Sequence, residues 1–326
     1  MKNSLRIVFY GTPEFATTIL KTIHASHHEV AAVVTAPDKP AGRGRKLNQS
    51  HVKQYALENN LPVLQPKNLK STKFIVQLDS YKADCQVIVA FRMLPEIVWS
   101  MPALGTFNLH ASLLPNYRGA APINWAIINQ EKVTGVTTFF IDENIDTGTI
   151  IDQSACAIAS DENVGSLYNK LMNLGADLTV TTLDRIATGE VASKKQEVVE
   201  NLRHAPKLDH SNTLIDFNKT ATEVDALVRG LFPFPVAKAR LQNQNEQTIK
   251  VFKTEVIEKS HRMPPGSIVI IDQQIHVACK EGMISLVELQ LPNKKRMTAR
   301  ALLNGFKFMD NAIFLGASEQ FRNNQQ

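Results

Sequence analysis

The sequence predicts an α/β protein with an open, mostly parallel sheet and helices on both faces, followed by a small C-terminal β-barrel. Short apolar runs alternate with helical patterns in the first part of the chain, and short alternating segments fill the last third. A chain of 326 residues is also long enough for two domains. We therefore expect a first domain at residues 1–189, a linker at 190–206 and a barrel domain at 207–326.

The predicted sheet comes from five apolar runs that are rich in β-branched side chains. Each run is bounded by Gly, Pro or polar residues, as strands buried on both faces of a parallel sheet are. The runs are Leu5–Tyr10, Val30–Thr35, Val63–Gln65, Gln86–Phe91 and Thr106–His110. Helical patterns at Glu14–Ala25 and Ser50–Asn59 predict crossovers between strands, which makes the sheet Rossmann-like.

A long helix is predicted from Asp161 to Ala187, with Ser160 or Asp161 as its N-cap and Gly189 after its end. The polar segment that follows predicts the linker. Beyond it, a short helix at Thr222–Gly230 precedes the prolines of LFPFP, which no helix accommodates. The strands of an OB-like barrel are then predicted at Ala237–Leu241, Thr248–Glu255, Ser267–Ile271, Gln274–Ala278 and Met283–Gln290.

The composition excludes several classes of protein. Hydrophobic residues make up 44% of the chain and charged residues 21%, as in ordinary globular proteins. The three cysteines are far apart and predict neither a disulfide framework nor a zinc site. No stretch approaches the ~20 apolar residues that span a bilayer, and the N-terminal apolar run is too short for a signal peptide. We therefore expect a cytoplasmic protein that does not contact membranes.

The net charge of +5 is concentrated in two places. Residues 38–53 carry five Lys and Arg against one acid, which gives a local charge of +4. Residues 207–326 carry 16 Lys and Arg against 12 Asp and Glu, which gives another +4. Basic segments favour a polyanionic partner, although solvated charged surfaces of this kind are more common.

The turn after the first strand does not favour a dinucleotide site. Its sequence is GTPE, and Pro13 stands where the dinucleotide fingerprint needs a second glycine. Pro13 suits the first turn of a helix instead, and Gly11 then has a structural role.

A polar cluster is predicted downstream. Asn108 and His110 alternate on a strand, so their side chains share a face, and they end that strand where open α/β sheets place ligands. The segment IDENIDTG then places Asp146 in a turn. An amide, an imidazole and a carboxylate suit acyl transfer by direct attack. Asn108 can donate to a developing oxyanion, His110 can shuttle a proton, and Asp146 can orient the ring or accept a proton.

Taken alone, this cluster leaves alternatives open. An Asn-x-His pair on a strand is more often a structural hydrogen-bonded pair, and an Asp before Thr-Gly is more often a turn residue. A metal site is disfavoured, because His110 has no second ligand at the usual spacing and the chain has no HExxH or paired-Cys pattern. We therefore expect no metal.

A longer pattern decides between these alternatives. Residues 108–115 spell NLHASLLP, residues 117–122 spell YRGAAP, and residues 146–148 spell DTG. In this order they resemble the signature of the folate-dependent formyltransferases. The resemblance implies that Asn108, His110 and Asp146 are the catalytic trio. It also implies that the folate is contacted by Ser112, Leu113, Leu114 and Pro115.

Further segments resemble the branch of that family that acts on tRNA. They are FYGTPEFA at 9–16, PDKPAGRGRKL at 37–47, APKLDHSNTLIDF at 205–217 and RGLFPFPVA at 229–237. The resemblance implies that 10-formyltetrahydrofolate, a co-substrate and not a tightly bound cofactor, gives its formyl group to the α-amine of initiator methionyl-tRNA. It implies too that Arg43, Arg45 and Lys46 contact the tRNA and that the barrel helps to bind it.

The alternative is a formyltransferase that acts on a small amine, such as a sugar nucleotide or a glycinamide ribonucleotide. Such substrates need neither a basic loop nor a basic barrel. We expect no obligate protein partner. One departure from the family pattern concerns the loop that holds the pterin ring, which usually begins Tyr-Gly. Here it begins Phe91-Arg92, and Arg92 either reaches the folate or lies in solvent.

Overall fold

The computed structural model describes residues 4–41, 46–197 and 200–316. These residues form two compact units. The first comprises the described residues within 1–119, 133–157 and 168–204, and the second comprises those within 120–132, 158–167 and 205–326. That the predicted domains at 1–189 and 207–326 fold separately, joined by the linker, stays a prediction.

The first unit contains a seven-stranded sheet. Up to residue 205 the strands are β1 (Arg6–Gly11), β2 (Glu29–Val34), β3 (Lys39–Ala41), β4 (Lys46–Asn48), β5 (Val63–Leu64), β6 (Cys85–Val89), β7 (Thr106–His110), β8 (Arg118–Gly119), β9 (Val133–Phe140), β10 (Ile150–Ala157) and β11 (His204–Ala205). The sheet order is β10-β9-β7-β6-β1-β2-β5. Four of its six neighbouring pairs are parallel, and only the pairs made by β9 are antiparallel. The predicted open, mostly parallel sheet is confirmed.

Helices cover both faces of this sheet. They are α1 (Glu14–Ala25), α2 (His51–Glu58), α3 (Thr72–Ser80), α4 (Glu96–Trp99) and most of α6 (Val164–Thr188). Tyr10 of β1 and Asn108 of β7 lie on one face, because both pair in register with the same residue of β6. Tyr10 packs there with Phe74 of α3. On the other face Leu109 contacts Gly175 of α6, where an added Cβ would lie 2.8 Å from the leucine Cδ2.

Several predicted boundaries are off by one to three residues, and two of the differences have clear local reasons. Strand β6 ends at Val89 and not at Phe91, because Ala90 adopts a left-handed backbone with φ of 47° that breaks the strand. Helix α6 begins at Val164 and not near Asp161. Asn163 caps it, with its Oδ1 accepting from the Ser166 amide at 3.1 Å, so neither Ser160 nor Asp161 is the N-cap.

The second unit contains a nearly closed antiparallel barrel-like sheet. Its strands are β12 (Ala237–Gln242), β13 (Glu246–Ile257), β14 (Ile268–Ile271), β15 (Gln274–Ala278), β16 (Met283–Gln290), β17 (Met297–Thr298) and β18 (Ile313–Leu315). The order is β14-β15-β16-β13-β12-β18, and β17 pairs with β16. A bridge between Ser267 and Ile313 links the two ends, which supports the predicted barrel.

Three helices belong to this unit: α5 (Pro122–Ile128), α7 (Ala221–Leu231) and α8 (Ala299–Leu303). Helix α7 begins with a capping box, in which Thr220 and Glu223 each bind the other's backbone amide. Its apolar face covers one side of the barrel through Val224 and Val228, which join Ile249 and Leu286 in the core.

The three cysteines are free thiols, as the sequence predicts. Within the described residues, no helix combines the length and the apolar character needed to cross a bilayer.

Candidate active site

The three residues of the predicted trio lie in the first unit, and the structure brings His110 and Asp146 together. Strand β7 ends at His110, and the loop between β9 and β10 places Asp146 beside it. The His110 Nδ1 and Asp146 Oδ2 atoms are 3.8 Å apart. Both side chains are largely buried, with exposures of 7% and 13%. Asn108 precedes His110 by two residues on the same strand, so the two side chains share a face of the sheet.

The second ring nitrogen of His110 is already occupied. Its Nε2 atom lies 2.8 Å from the Tyr117 carbonyl oxygen, which can only accept, so Nε2 carries a hydrogen and donates it. Tyr117 adopts a left-handed backbone with φ of 61°, and this conformation directs its carbonyl. In the neutral ring the lone pair is therefore on Nδ1, the nitrogen that faces Asp146.

Only one oxygen of the Asp146 carboxylate accepts a hydrogen bond from the described residues. Its Oδ2 accepts a hydrogen bond from the Gly119 amide at 2.9 Å, while Oδ1 accepts none from the described residues. Asp146 adopts φ of 57°, which Asp tolerates better than most residues. Gly148 is required two residues later, because a Cβ there would lie 1.7 Å from the Phe140 carbonyl oxygen. The DTG turn thus fixes one carboxylate oxygen and leaves the other available.

Gln196 holds the same loop from a segment that the sequence presents only as linker. Its Nε2 donates to the carbonyl oxygens of Asp146 and Gly148, both at 2.9 Å. Its Oε1 accepts two hydrogen bonds from the Arg118 guanidinium, at 3.1 and 2.6 Å. Gln196 therefore positions Asp146 through the backbone and is itself oriented by Arg118.

Other described residues of the predicted linker also pair with the loops around the site. Lys194 pairs with Ile150 through two backbone hydrogen bonds of 2.8 Å. Arg203 accepts from the Tyr117 amide at 2.6 Å and donates from its own amide to the Asn116 side chain at 3.2 Å. The described part of this segment thus frames the loops that carry the trio.

Asn108 differs from its two partners in being unengaged. Its side chain is half-buried and makes no hydrogen bond to any residue that the structure describes. Its backbone pairs on both sides, with Ile88 of β6 and Phe139 of β9. A rigid backbone with an unoccupied amide can donate to a ligand without first breaking a protein contact.

The predicted folate segment follows β7 directly and is fixed from inside. Ser112 is fully buried, and its hydroxyl donates to the Asn116 carbonyl at 2.7 Å. Thr137 donates to the Ser112 carbonyl at 2.7 Å and accepts from the Leu114 amide at 3.1 Å. The side chains of Ser112 and Leu114 are buried, whereas Leu113 and Pro115 keep partial exposure. Folate contact by these four residues stays a prediction, and Leu113 and Pro115 are the ones with exposed surface for it.

The basic loop forms a short hairpin, β3–β4, in which Ala41 pairs with Lys46. Arg43 and Arg45 lie outside the described residues, and only the backbone of Lys46 is described. At the hairpin's base, Lys53 forms an ion pair with Asp38 at 2.6 Å. Hydrogen bonds from Lys53 and then Gln65 hold the pKa of the Asp38 carboxyl below its usual value. Lys53 is therefore already paired and contributes no free charge for a polyanion.

Arg92, which departs from the family pattern, is tied to the protein. Its guanidinium donates to the carbonyl oxygen of Lys67 at 3.0 Å and also to that of Pro66. It also lies over the Phe91 ring, 5.6 Å from the centroid. Arg92, which stands where the family pattern has Gly, remains exposed but has protein partners.

One group of described residues resembles a metal site in composition. His27 and His28 both approach Asp184 Oδ1, at 3.3 and 3.1 Å. However, the Leu5 amide donates to His28 Nδ1 at 3.1 Å, so Nε2 carries the hydrogen and donates to Asp184. Burial, followed by the neighbouring His27, lowers the pKa of His28 and favours the neutral ring. A metal would have to displace the only ring hydrogen, so these bonds favour a structural role.

Comparison with known proteins gives the family. Residues 5–183 match the formyl transferase family, and residues 207–307 match the C-terminal domain of formyl transferases. The chain is 52% identical to the methionyl-tRNA formyltransferase of Flavobacterium johnsoniae, over 94% of this chain and 98% of that protein. It is 49% identical to the methionyl-tRNA formyltransferase of Bacteroides fragilis, over 94% and 96%. The chain belongs to the methionyl-tRNA formyltransferase family.

Solved structures with the same fold are more distant in sequence. The N-formyltransferase of Helicobacter canadensis, solved with folinic acid and dTDP-3-aminofucose, is 22% identical. It matches 89% of this chain and 100% of its own with a TM-score of 0.63. HypX of Aquifex aeolicus, solved with tetrahydrofolic acid, is 17% identical and matches 94% of this chain and 48% of its own, with a TM-score of 0.62. At these identities the likeness shows the fold alone.

Proposed function

We propose that this member of the methionyl-tRNA formyltransferase family transfers the formyl group of 10-formyltetrahydrofolate to the α-amine of initiator methionyl-tRNA. The observation that carries the proposal is the 3.8 Å approach of His110 Nδ1 to Asp146 Oδ2, with the Asn108 amide on the same strand face. The names of the relatives, together with nearly full-length matches at about half identity, support tRNA as the acceptor. A reaction on charged tRNA also fits the cytoplasmic location expected from the sequence.

The reaction exchanges one carbon–nitrogen bond for another. The amine nitrogen bonds to the formyl carbon, and the bond from that carbon to the folate nitrogen breaks. One proton leaves the amine, and one proton reaches the folate nitrogen. The protein therefore needs a group that accepts and returns a proton, and a donor for the charge that develops on the formyl oxygen.

His110 suits the proton transfer. In the neutral ring the hydrogen sits on Nε2, bound to Tyr117, so the lone pair is on Nδ1. When Nδ1 takes the proton of the attacking amine, the ring becomes an imidazolium 3.8 Å from the Asp146 carboxylate. In a largely buried site the carboxylate stabilises that charge more strongly than it would in water. The proton can then pass to the folate nitrogen.

Asn108 suits the second task. Its amide has no partner among the described residues, so it can donate to the formyl oxygen as negative charge develops there. The exposed surfaces of Leu113 and Pro115 would meet the folate, and the segment's internal hydrogen bonds would keep it in place. The basic hairpin and the barrel would hold the tRNA mainly through its phosphates, and so position the aminoacyl end.

The direct test is acceptor choice. The protein is incubated with 10-formyltetrahydrofolate and one of two kinds of acceptor. One is charged initiator tRNA, and the other is a small amine, either an amino-sugar nucleotide or glycinamide ribonucleotide. We expect N-formylmethionyl-tRNA and little formylation of either small amine. Preferential formylation of a small amine would make this a formyltransferase of another branch.

A further inference from the structure

Phe234 is an aromatic side chain presented to solvent by the second unit. It is 80% exposed, more than any other large apolar side chain of the described residues and the only aromatic one among those that are strongly exposed. Single exposed aliphatic residues are ordinary on protein surfaces. An aromatic ring at this exposure is less so, because it carries a large apolar area that folding has left in water.

The loop around Phe234 is fixed at both ends. The Phe232 carbonyl accepts from the Gly165 amide at 3.2 Å, and the Val236 amide donates to the Leu231 carbonyl at 2.9 Å. Val236 is buried with φ of 75°, a conformation that a β-branched residue adopts only when its surroundings impose it. Prolines on either side of Phe234 restrict the backbone further. Binding through this ring would therefore cost little backbone entropy.

Cationic and aromatic groups adjoin this loop. The Arg296 guanidinium carbon lies 5.3 Å from the centroid of the Phe232 ring and 4.6 Å from that of Phe252. Arg296 also forms an ion pair with Glu288. Because its charge is already paired, Arg296 mainly holds the Phe232 and Phe252 rings in place. Lys294 and Lys295 directly precede Arg296 in the chain. Both are exposed, and neither has an ion-pair partner among the described residues. Surfaces that bind unpaired nucleic acid combine aromatic rings with positively charged side chains in this way.

We propose that Phe234 stacks on an unpaired base at the 3′ end of the tRNA, with Lys294 and Lys295 near the adjoining phosphates. This inference rests on the proposed function, because the reacting amine is attached to that 3′ end. Bases inside a tRNA stem are covered on both faces by their neighbours, whereas unpaired terminal bases offer a free face. Stacking depends on ring area and not on base identity, so Phe234 contributes affinity and positioning but little sequence preference.

The test compares two tRNAs and three variants. Full-length initiator tRNA and the same tRNA without its last three nucleotides are titrated against the wild type, Phe234→Ala, Phe234→Trp and Phe234→Leu. For full-length tRNA we expect Phe234→Ala to raise Kd about five- to a hundredfold, the range for losing one stacked base. Phe234→Trp should bind at least as well as the wild type. Phe234→Leu, which is apolar but cannot stack, should resemble Phe234→Ala. For the shortened tRNA, the wild type and Phe234→Ala should bind equally.

Ile270→Ala is the matched control, because Ile270 is an exposed apolar residue of the same unit and should leave both affinities unchanged. Equal affinity of the wild type and Phe234→Ala for full-length tRNA would overturn the proposal and leave the proposed function standing. An equal loss on both tRNAs would also overturn it, because the contact would then lie away from the 3′ end. Failure of the proposed function itself would be seen separately, as a wild type that does not formylate charged tRNA.

Discussion

His110 Nδ1 lies 3.8 Å from Asp146 Oδ2, and that same oxygen accepts the Gly119 amide at 2.9 Å. The two atoms are too far apart for a hydrogen bond, but a carboxylate at this distance would attract an imidazolium. Catalytic hydrogen bonds are often long without substrate and shorten in the reacting complex. The distance therefore leaves Nδ1 free to receive a substrate proton, with the carboxylate near enough to stabilise the result.

Replacing Asn108 by Ala should lower kcat about 10²–10³-fold, because an oxyanion donor acts when charge develops. The thermal melting temperature should change little, since the side chain makes no hydrogen bond to the described residues. Steady-state kinetics with charged tRNA as the varied substrate measures the effect. An increase confined to KM would instead assign Asn108 to ground-state binding.

Replacing Gln196 by Leu should lower kcat about ten- to a hundredfold while KM for folate changes little. The substitution keeps the volume but removes both donors to the Asp146 loop, and a displacement of about 1 Å at a reacting group has costs of this size. Gln196→Glu should be no better, because its carboxylate would face two carbonyl oxygens. The matched control is Glu197→Gln, since Glu197 makes only an exposed ion pair with Lys194. Equal kcat for the Gln196 variants and this control would remove Gln196 from the positioning of Asp146.

A bound folate analogue should slow hydrogen exchange in residues 112–115. The prediction follows from the partial exposure of Leu113 and Pro115 at the end of β7. Exchange is compared with and without the analogue, by mass spectrometry of the peptides that cover this segment. Protection found only in the second unit would place the folate elsewhere.

Replacing Arg43, Arg45 and Lys46 together by Ala should weaken tRNA binding and leave folate binding intact. Each lost phosphate contact should also lower the slope of log Kd against log salt by about one unit. A control with the same change in charge replaces the exposed Lys67, Lys70 and Lys73 of the first unit. If both triple variants show the same affinity and slope as the wild type across a salt series, the hairpin does not contact the tRNA.

The sequence predicted a site residue best where local sequence alone determines the strand or turn that carries that residue. Strand β7 lies at Thr106–His110, as predicted from its apolar and β-branched run. The shared face of Asn108 and His110 then follows from the alternation of side chains along a strand. The turn at Asp146 was likewise predicted from local sequence, since Asp accepts the left-handed backbone found there.

The sequence does not reveal residues whose role is a hydrogen bond that involves a backbone carbonyl of a separate segment. Gln196 is 50 residues from Asp146, in a polar stretch without periodicity, and its amide contacts carbonyl oxygens that every residue has. Tyr117 orients His110 through its own carbonyl, so the identity of its side chain gave no indication of that contact. Tertiary structure alone decides such contacts.

The most direct test of the account is the single-turnover rate of formyl transfer to charged initiator tRNA by Asp146→Asn, with both substrates saturating. Asn accepts the φ of 57° at this position, and its amide oxygen can still accept the Gly119 hydrogen bond. The loop should therefore keep its structure, and only the negative charge beside His110 is lost. The account predicts a rate lower by about 10²–10⁴-fold, with an unchanged melting temperature and unchanged affinity for both substrates. A rate near that of the wild type in a correctly folded variant would contradict it.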